Sequence, residues 1–160
     1  VGDWDGDGKY NLGVRMGNAF FLRTSPVTSG TETTVSVAYG DAPDTPIIGD
    51  WDGDGRDNIG VYRPASFRFY LRTNAVNTTG ETVSVVAYGN PNSVPLTGDW
   101  NGDGKDNVGV RMGNTFYFRT SEVSDAAEAT SSVAYGDGGN EYAIVGDWNG
   151  DGRDTQGVVK

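Results

Sequence analysis

Apolar residues occur along the chain in short segments of about four to seven residues, bounded by glycine, asparagine, aspartate or proline. These segments favour Val, Ile, Phe, Tyr and Thr, and none has the sustained apolar spacing of an amphipathic helix. The pattern therefore predicts an all-β chain with four short strands in each repeat. The segment 124–129, which contains Ala and Glu, takes the place of the polar segments 28–33 and 77–82, so we predict a loop there too.

The strand pattern repeats together with an acidic phrase of the form Gly-Asp-Trp-Asp-Gly-Asp-Gly. Its first aspartates are Asp3, Asp50, Asp99 and Asp147, at spacings of 47, 49 and 48 residues. Similar aromatic segments follow each of the first three phrases, and each of these units ends in Ala-Tyr-Gly. The chain is therefore a single repeat array, in which residues 1–48, 49–97 and 98–145 form three repeats and residues 146–160 begin a fourth.

The repeat length favours one architecture. Four antiparallel strands at a period near 48 residues match a β-propeller blade of ~40–50 residues. An open β-solenoid or an elongated stack of sheets would have the same period. Because propellers close with ~4–8 blades, we expect this array to be incomplete on its own. Flanking repeats of a longer chain, or further copies in a homo-oligomer or filament, would complete it.

The amino-acid composition limits the partners and the catalytic groups that the chain can have. The chain has 22 acidic and 12 basic residues, a formal net charge of -10, and no Cys or His. The acidic balance argues against nucleic acid and anionic membranes as partners, and it suits a protein that binds cations. The missing Cys and His exclude a thiol nucleophile, a Cys/His zinc site and imidazole catalysis. No apolar run approaches the ~18 residues of a transmembrane helix.

The acidic phrases have the spacing of a calcium-binding loop. In the first, Asp3, Asp5 and Asp7 take positions 1, 3 and 5, the Lys9 carbonyl takes position 7, and Asn11 takes position 9. Alternate side chains of a curled loop converge, and glycine at position 6 permits the turn. Oxygen ligands favour Ca²⁺ over transition metals, so we predict up to four Ca²⁺. The equivalent ligands are Asp50, Asp52, Asp54, Arg56 and Asn58; Asp99, Asn101, Asp103, Lys105 and Asn107; and Asp147, Asn149, Asp151, Arg153 and Thr155.

The loops differ from an EF-hand and from one another. Valine replaces the bidentate glutamate at position 12, so water or another group must complete the coordination. Asparagine at position 3 removes a charge from loops 3 and 4, and Thr155 has less reach, so we expect the fourth site to be weakest. The alternative is that these are ordinary Asp-Gly turns that hold no metal. Ligation through water is predicted for the position-8 aspartates, Asp57, Asp106 and Asp154.

The phrase D-x-D-x-D-G-x-x-N between two short strands resembles the calcium loop of FG-GAP and VCBS-type repeats. These form the blades of integrin α-subunit propellers and occur in many secreted bacterial proteins. The longer phrase G-D-W-[DN]-G-D-G-[KR]-D-N resembles repeats of bacterial extracellular proteins, and the resemblance covers the whole chain. It implies a propeller-blade fold, Ca²⁺ held by loop positions 1, 3, 5, 7 and 9, and an extracellular or cell-surface location in bacteria.

Aromatic residues also recur at the repeat period, and we predict that they pack sheet against sheet rather than bind sugar. The arginines that follow the aromatic strand, Arg23, Arg72 and Arg119, are expected to brace a nearby carboxylate or carbonyl. The aromatic positions are Trp4, Trp51, Trp100 and Trp148; Phe20, Phe69 and Phe116; Phe21, Tyr70 and Tyr117; and Tyr39, Tyr88 and Tyr135. An Asn-X-Thr sequon at Asn77 lies in a predicted loop.

Together these features predict an extracellular, calcium-stabilised structural or adhesive repeat module. A lectin-like carbohydrate-binding propeller is the alternative function. A glycoside hydrolase is a third alternative, since it needs only two carboxylates ~5–10 Å apart. The acids that break the repeat lie in variable polar loops, so we predict no enzymatic activity; they are Glu122, Asp125, Glu128 and Glu141.

Overall fold

The computed structural model of the protein describes residues 1–26, 30–123, 129–139 and 141–160. Within these ranges the chain forms 13 β-strands and no helix, so the all-β prediction is confirmed. Most of the segment 124–129, predicted as a loop, lies outside the described residues. The strands are β1 Gly13–Met16, β2 Ala19–Arg23, β3 Thr34–Ala38, β4 Thr45–Gly49, β5 Asn58–Arg63, β6 Arg68–Arg72, β7 Val83–Ala87, β8 Val94–Gly98, β9 Asn107–Met112, β10 Thr115–Arg119, β11 Thr130–Ala134, β12 Tyr142–Gly146 and β13 Thr155–Val159.

The strands form four antiparallel sheets, each built from strands that follow one another in the chain. The orders are β1-β2-β3, β4-β5-β6-β7, β8-β9-β10-β11 and β12-β13. Two of the sheets thus have the four strands that the sequence predicts. The sheet of the second repeat begins at Thr45, before the sequence boundary at 49, because the strand leading into each acidic loop pairs with the strand leaving it. Among the described strands no sheet closes on itself, and the propeller stays a prediction.

Alternation of side chains along the strands produces the sheet faces. In β2, Phe20 and Leu22 are buried while Phe21 between them is exposed, as expected for a pleated strand with one covered face. In β5 and β9 nearly every residue is buried, because these strands have a neighbouring sheet on both faces. The tight β1–β2 and β9–β10 hairpins place glycine at a positive φ of 61° or 60° (Gly17 and Gly113), where a side chain would be strained.

The sheets pack face to face through three apolar clusters, one at each junction between repeats. Trp4, Phe20 and Leu22 of the first sheet pack against Ile59 and Val61 of the second. The leading strands β4, β8 and β12 of neighbouring sheets also contact one another. The other clusters join Trp51, Phe69 and Leu71 to Val108 and Val110, and Trp100, Phe116 and Phe118 to Val145 and Val158.

Candidate metal centres

Each acidic loop joins two paired strands, so its two ends are held together by the sheet. Gly49 pairs with Asn58, Gly98 with Asn107, and Gly146 with Thr155. In the first repeat an isolated bridge between Gly2 and Asn11 has the same role. Position 9 of every loop is therefore opposite the glycine that precedes position 1. This pairing closes the loop around its carboxylates.

The first aspartate organises the interior of each loop. The Oδ1 atom of Asp3 accepts hydrogen bonds from the N–H groups of Gly6 and Asp7 at 2.8 and 3.1 Å, and its Oδ2 atom accepts one from Gly8 at 2.8 Å. The same three bonds recur on Asp50, Asp99 and Asp147. Backbone N–H donors stabilise the ionised carboxylate, and those of the fourth loop hold the pKa of Asp147 below its ordinary value. The loops are thus folded around a negative charge.

Loops 1 and 2 each bring three carboxylates together. One oxygen of each of Asp3, Asp5 and Asp7 lies within 4.8 Å of the others, and the equivalent residues of loop 2 have the same arrangement. In loop 2, burial and then the charge of Asp54 raise the pKa of Asp52. Three like charges at this separation repel one another, so these two clusters have the chemistry of a cation site.

Loops 3 and 4 differ because position 3 is an amide. The Asn101 Nδ2 atom donates to the Asp103 Oδ2 atom at 2.8 Å, and Asn149 Nδ2 donates to Asp151 Oδ2 at 3.0 Å. An N–H donor therefore stands where loops 1 and 2 have a second carboxylate. In loops 3 and 4 this hydrogen bond from the amide to the carboxylate supplies part of the stabilisation that a cation would supply. The arrangement agrees with the expectation that asparagine weakens these two sites.

The position-9 residues are buried in the first three loops. Asn11, Asn58 and Asn107 are all nearly inaccessible to solvent, whereas Thr155 is exposed. Asn58 donates through Nδ2 to the Arg56 carbonyl at 3.4 Å, which brings the predicted ligands of positions 7 and 9 together. Among the described residues, no group hydrogen-bonds the Oδ1 atoms of Asn58 and Asn107 or the Nδ2 atom of Asn107. A buried acceptor without a partner costs about 1–3 kcal/mol, so a cation that paired these oxygens would remove a real penalty.

The structure places the position-8 aspartates in a contact between repeats. The Oδ2 atom of Asp57 accepts a hydrogen bond from the Asp3 N–H of the preceding repeat at 2.7 Å, and the Asp57 N–H donates to the Asp3 carbonyl at 2.8 Å. The Asp106–Asp50 and Asp154–Asp99 pairs repeat both bonds. These carboxylates therefore act across the repeat junction, a contact that the sequence did not predict, and their water-mediated ligation in their own loops stays a prediction. In loop 1 the position holds Tyr10, which is exposed.

The junction carboxylates lie in an electronegative cavity. Asp57 and Asp106 line a space of about 270 Å³ together with Asp3 and Asp50. Burial is the main cause that raises the pKa of Asp57 and of Asp154, and it raises the pKa of Asp106 to about 7, with the neighbouring carboxylates adding to the effect. The cavity therefore disfavours the ionised form of these carboxylates beside the first ligand of loops 1 and 2, as long as no cation offsets their charge.

The basic residues at position 7 also reach the preceding loop. A Cβ atom added to Gly6 would lie 3.0 Å from the Arg56 Cγ atom, and one added to Gly53 would lie 3.0 Å from the Lys105 Cγ atom. Glycine at position 4 thus leaves room for the aliphatic stem of the next repeat's basic side chain. Consecutive loops are stacked on one another.

Two of the acids that break the repeat, Glu122 and Glu141, are paired with basic residues. The buried Glu141 carboxylate accepts a hydrogen bond from the Arg111 Nη2 atom at 2.7 Å, and Glu122 pairs with Lys105 Nζ at 2.9 Å. Asp125 and Glu128, the other two acids considered for catalysis, lie outside the described residues. Glu141 therefore occupies an ion pair within the fold.

Most of the recurring aromatics pack in the core, as predicted. Trp4, Trp51, Phe20, Phe69 and Phe116 are buried in the three clusters. Trp148 and Tyr135 are exposed. The arginines after the aromatic strand donate to main-chain carbonyls in the segments that follow them, which confirms their bracing role; the acceptors are Pro26 for Arg23, Val76, Thr78 and Gly80 for Arg72, and Ser121 and Glu122 for Arg119.

Comparison of the chain with protein-family models, with characterised proteins and with solved structures finds no match. The described residues contain no helix of the length and apolarity that crossing a membrane requires. The sequon residue Asn77 lies exposed in a turn. Because no comparison finds a match, the function of the acidic loops is inferred from their geometry.

Proposed function

We propose that the chain is a calcium-stabilised structural module of an extracellular or cell-surface bacterial protein, built from repeats of the FG-GAP/VCBS type. The observation that carries this proposal is the pair of three-carboxylate clusters in loops 1 and 2. Each cluster lies in a loop whose two ends are fixed by strand pairing. A bound cation offsets the repulsion and ties the loop to both strands.

Calcium is the cation that these ligands suit best. The loops offer carboxylate, amide and carbonyl oxygens, with no nitrogen or sulfur ligand from His or Cys. Calcium accepts such irregular oxygen sites, whereas Mg²⁺ requires a nearly ideal octahedron. Extracellular calcium modules bind at ~10⁻⁴–10⁻³ M, and sites with two or three carboxylates fit that range. Loops 1 and 2 are proposed as the stronger sites and loop 4 as the weakest.

The proposed partners are further repeats, either in a longer chain or in another copy. Val14 in the first sheet is 58% exposed, although its equivalents Val61 and Val110 are buried by the preceding sheet. At the other end Trp148 is 59% exposed, whereas its equivalents Trp4 and Trp51 are buried. Each end thus presents the kind of face that is covered inside the array, which supports an assembled or adhesive role.

The experiment compares thermal unfolding and particle mass in millimolar Ca²⁺ and in EDTA, with light scattering after size-exclusion chromatography. We expect EDTA to lower the melting temperature and to dissociate any larger assembly. The matched control replaces Asp5 and Asp52 with asparagine, which gives loops 1 and 2 the position-3 amide of loops 3 and 4. This variant should fold and lose most of the calcium effect. Equal stability of the natural protein in both solutions would refute the proposal.

Carbohydrate binding is a second candidate, favoured by one groove. The groove, of about 510 Å³, lies between the second and third sheets and includes the rings of Phe67, Tyr88 and Tyr117, with Ser66 and Asn90 beside them. None of the described residues that line it is charged, and Phe67 has a positive φ of 55° in a turn that repeats 1 and 3 lack. Uncharged polar groups beside aromatic faces suit a neutral sugar. Glycan-array binding that Tyr117→Ala abolishes and Tyr135→Ala preserves would support it, and absence of binding would refute it.

A further inference from the structure

We infer that each position-8 aspartate is a positioning residue for the metal site of the preceding repeat. The metal site of that repeat is therefore built from residues of two repeats. The inference rests on the proposed function, because it assigns the residues that hold the first metal ligand in place. It concerns Asp57, Asp106 and Asp154, which act on loops 1, 2 and 3 respectively. The ligands predicted from the sequence give these residues a different role, as ligands through water in their own loops.

The first step is that the contact is reciprocal. Asp106 accepts a hydrogen bond from the Asp50 N–H at 2.8 Å through its side chain, and its own N–H donates to the Asp50 carbonyl at 2.8 Å. Both main-chain polar groups of Asp50 are thereby held by the next repeat. A carboxylate acceptor makes the first of these bonds stronger than one between neutral groups.

The second step is that Asp50 is also the centre of its own loop. Its side-chain oxygens accept the three N–H groups of positions 4, 5 and 6, at 2.8, 3.2 and 2.8 Å. The main chain of Asp50 is therefore held by Asp106 of the third repeat, while the Asp50 carboxylate orders the acidic loop of the second repeat. A ligand is most effective when a surrounding shell holds it in one orientation.

The third step is that the same geometry recurs at all three junctions, over sequence separations of 54, 56 and 55 residues. At two of the junctions the glycine before position 1 also faces the carboxylate, beside the ring of the loop's own tryptophan. A Cβ atom on Gly49 would lie 2.8 Å from the Asp106 Oδ2 atom, and one on Gly98 would lie 2.9 Å from the Asp154 Oδ2 atom. The phrase Gly-Asp-Trp thus leaves space for a carboxylate from the next repeat.

The test uses the tryptophan at position 2 of each loop as a local reporter. The four indole N–H signals are assigned in a ¹⁵N–¹H spectrum and followed during a Ca²⁺ titration of the natural protein and of Asp106→Asn. Asparagine keeps the shape and one acceptor but loses the charge. We expect the affinity reported by Trp51 to fall about tenfold, while that reported by Trp100 changes much less.

The matched variants shift the effect by one repeat: Asp57→Asn should weaken the site reported by Trp4, and Asp154→Asn the site reported by Trp100. The inference is overturned if each variant weakens its own loop most, as water-mediated ligation requires, or if all four sites weaken equally. Amide exchange in EDTA separates this from the proposed function. Asp106→Ala, which removes the side-chain acceptor, should expose the Asp50 N–H and leave the Asp99 N–H protected, even if no loop binds Ca²⁺. An Asp50 N–H that stays protected in this variant rules out the junction contact, and a natural protein without any titration rules out the metal function.

Discussion

Val14, Val61 and Val110 occupy the same strand position in the three repeats. Because they differ in burial, matched substitutions at this position can measure how much the packing between sheets contributes to stability. Val61 in β5 is fully buried between the first and second sheets, whereas Val14 in β1 is 58% exposed. We consider Val61→Ala, with Val14→Ala as its control. Both substitutions remove the same two methyl groups, although β1 is an edge strand of its sheet and β5 is a central one. Their difference therefore reports the burial of the side chain together with an effect of strand position of about 1 kcal/mol at most.

The expected magnitudes follow from the exposure. Two buried methyl groups are worth about 1.6 kcal/mol at ~0.8 kcal/mol each. The cavity left beside Ile59 and Trp4 does not close fully, which brings the expected loss in the free energy of unfolding for Val61→Ala to about 2–3 kcal/mol. Val14 is already mostly solvated, so its loss should be about 0.7 kcal/mol at most.

Urea unfolding in millimolar Ca²⁺, followed by tryptophan fluorescence and by circular dichroism, measures both variants. Two probes are needed because repeat arrays can unfold in parts, which separates the two transitions. Equal losses at the two positions in dilute protein would refute the packing of one sheet against the next. A cost of Val14→Ala that grows with protein concentration would show that another copy covers the first sheet.

Three further outcomes are expected. Asn101→Asp should raise the Ca²⁺ affinity of loop 3 about tenfold, or about 1.4 kcal/mol, in a calorimetric titration; an unchanged affinity would contradict the role given to the amide. The Arg63 guanidinium lowers the pKa of Asp44, so this carboxylate stabilises the fold above its ordinary pKa and the contribution disappears as the pH falls through the lowered value. Asp44→Asn should therefore unfold more easily than the natural chain at neutral pH, with the gap closing below about pH 4 in an acid titration followed by circular dichroism. In EDTA, Gly53→Ala should destabilise more than Gly55→Ala, by urea unfolding, because both have a positive φ but only Gly53 has the next repeat's side chain against it.

The features that repeat were the ones that the sequence could predict. Four copies of the acidic phrase, together with the aromatic segments between them, were enough for the strand pattern, the two four-stranded sheets and the buried places of Trp4 and Phe69. Alternation within a strand and glycine in a turn act over a few residues, so they can be read locally. The closed propeller depends on how repeats meet at the two ends of an array, which a local pattern does not determine.

The contact of the position-8 aspartates could not be predicted from the local sequence, because each partner lies in the preceding loop, more than 50 residues away. One signal was present: the loops that follow another loop have aspartate at position 8, and the first has Tyr10. The ion pair of Glu141 with Arg111 was missed for a related reason. It fills the turn position that Asp44 holds in the first repeat, where each carboxylate pairs with an arginine, Arg111 or Arg63. The equivalence is hidden because the two turns differ in length and residue type.

The reciprocal contact between position 8 and position 1 has a consequence for how such a chain can evolve. Any segment copied from one acidic loop to the next has an aspartate that reaches backward and a Gly-Asp pair that receives the following repeat. A duplicated segment would therefore fit between its neighbours without compensating mutations. A deletion of one whole segment would bring a position-8 aspartate and the Gly-Asp pair of the loop before it into the same contact. Change in the number of repeats should then be tolerated far more readily than insertion or loss of a few residues within an acidic loop.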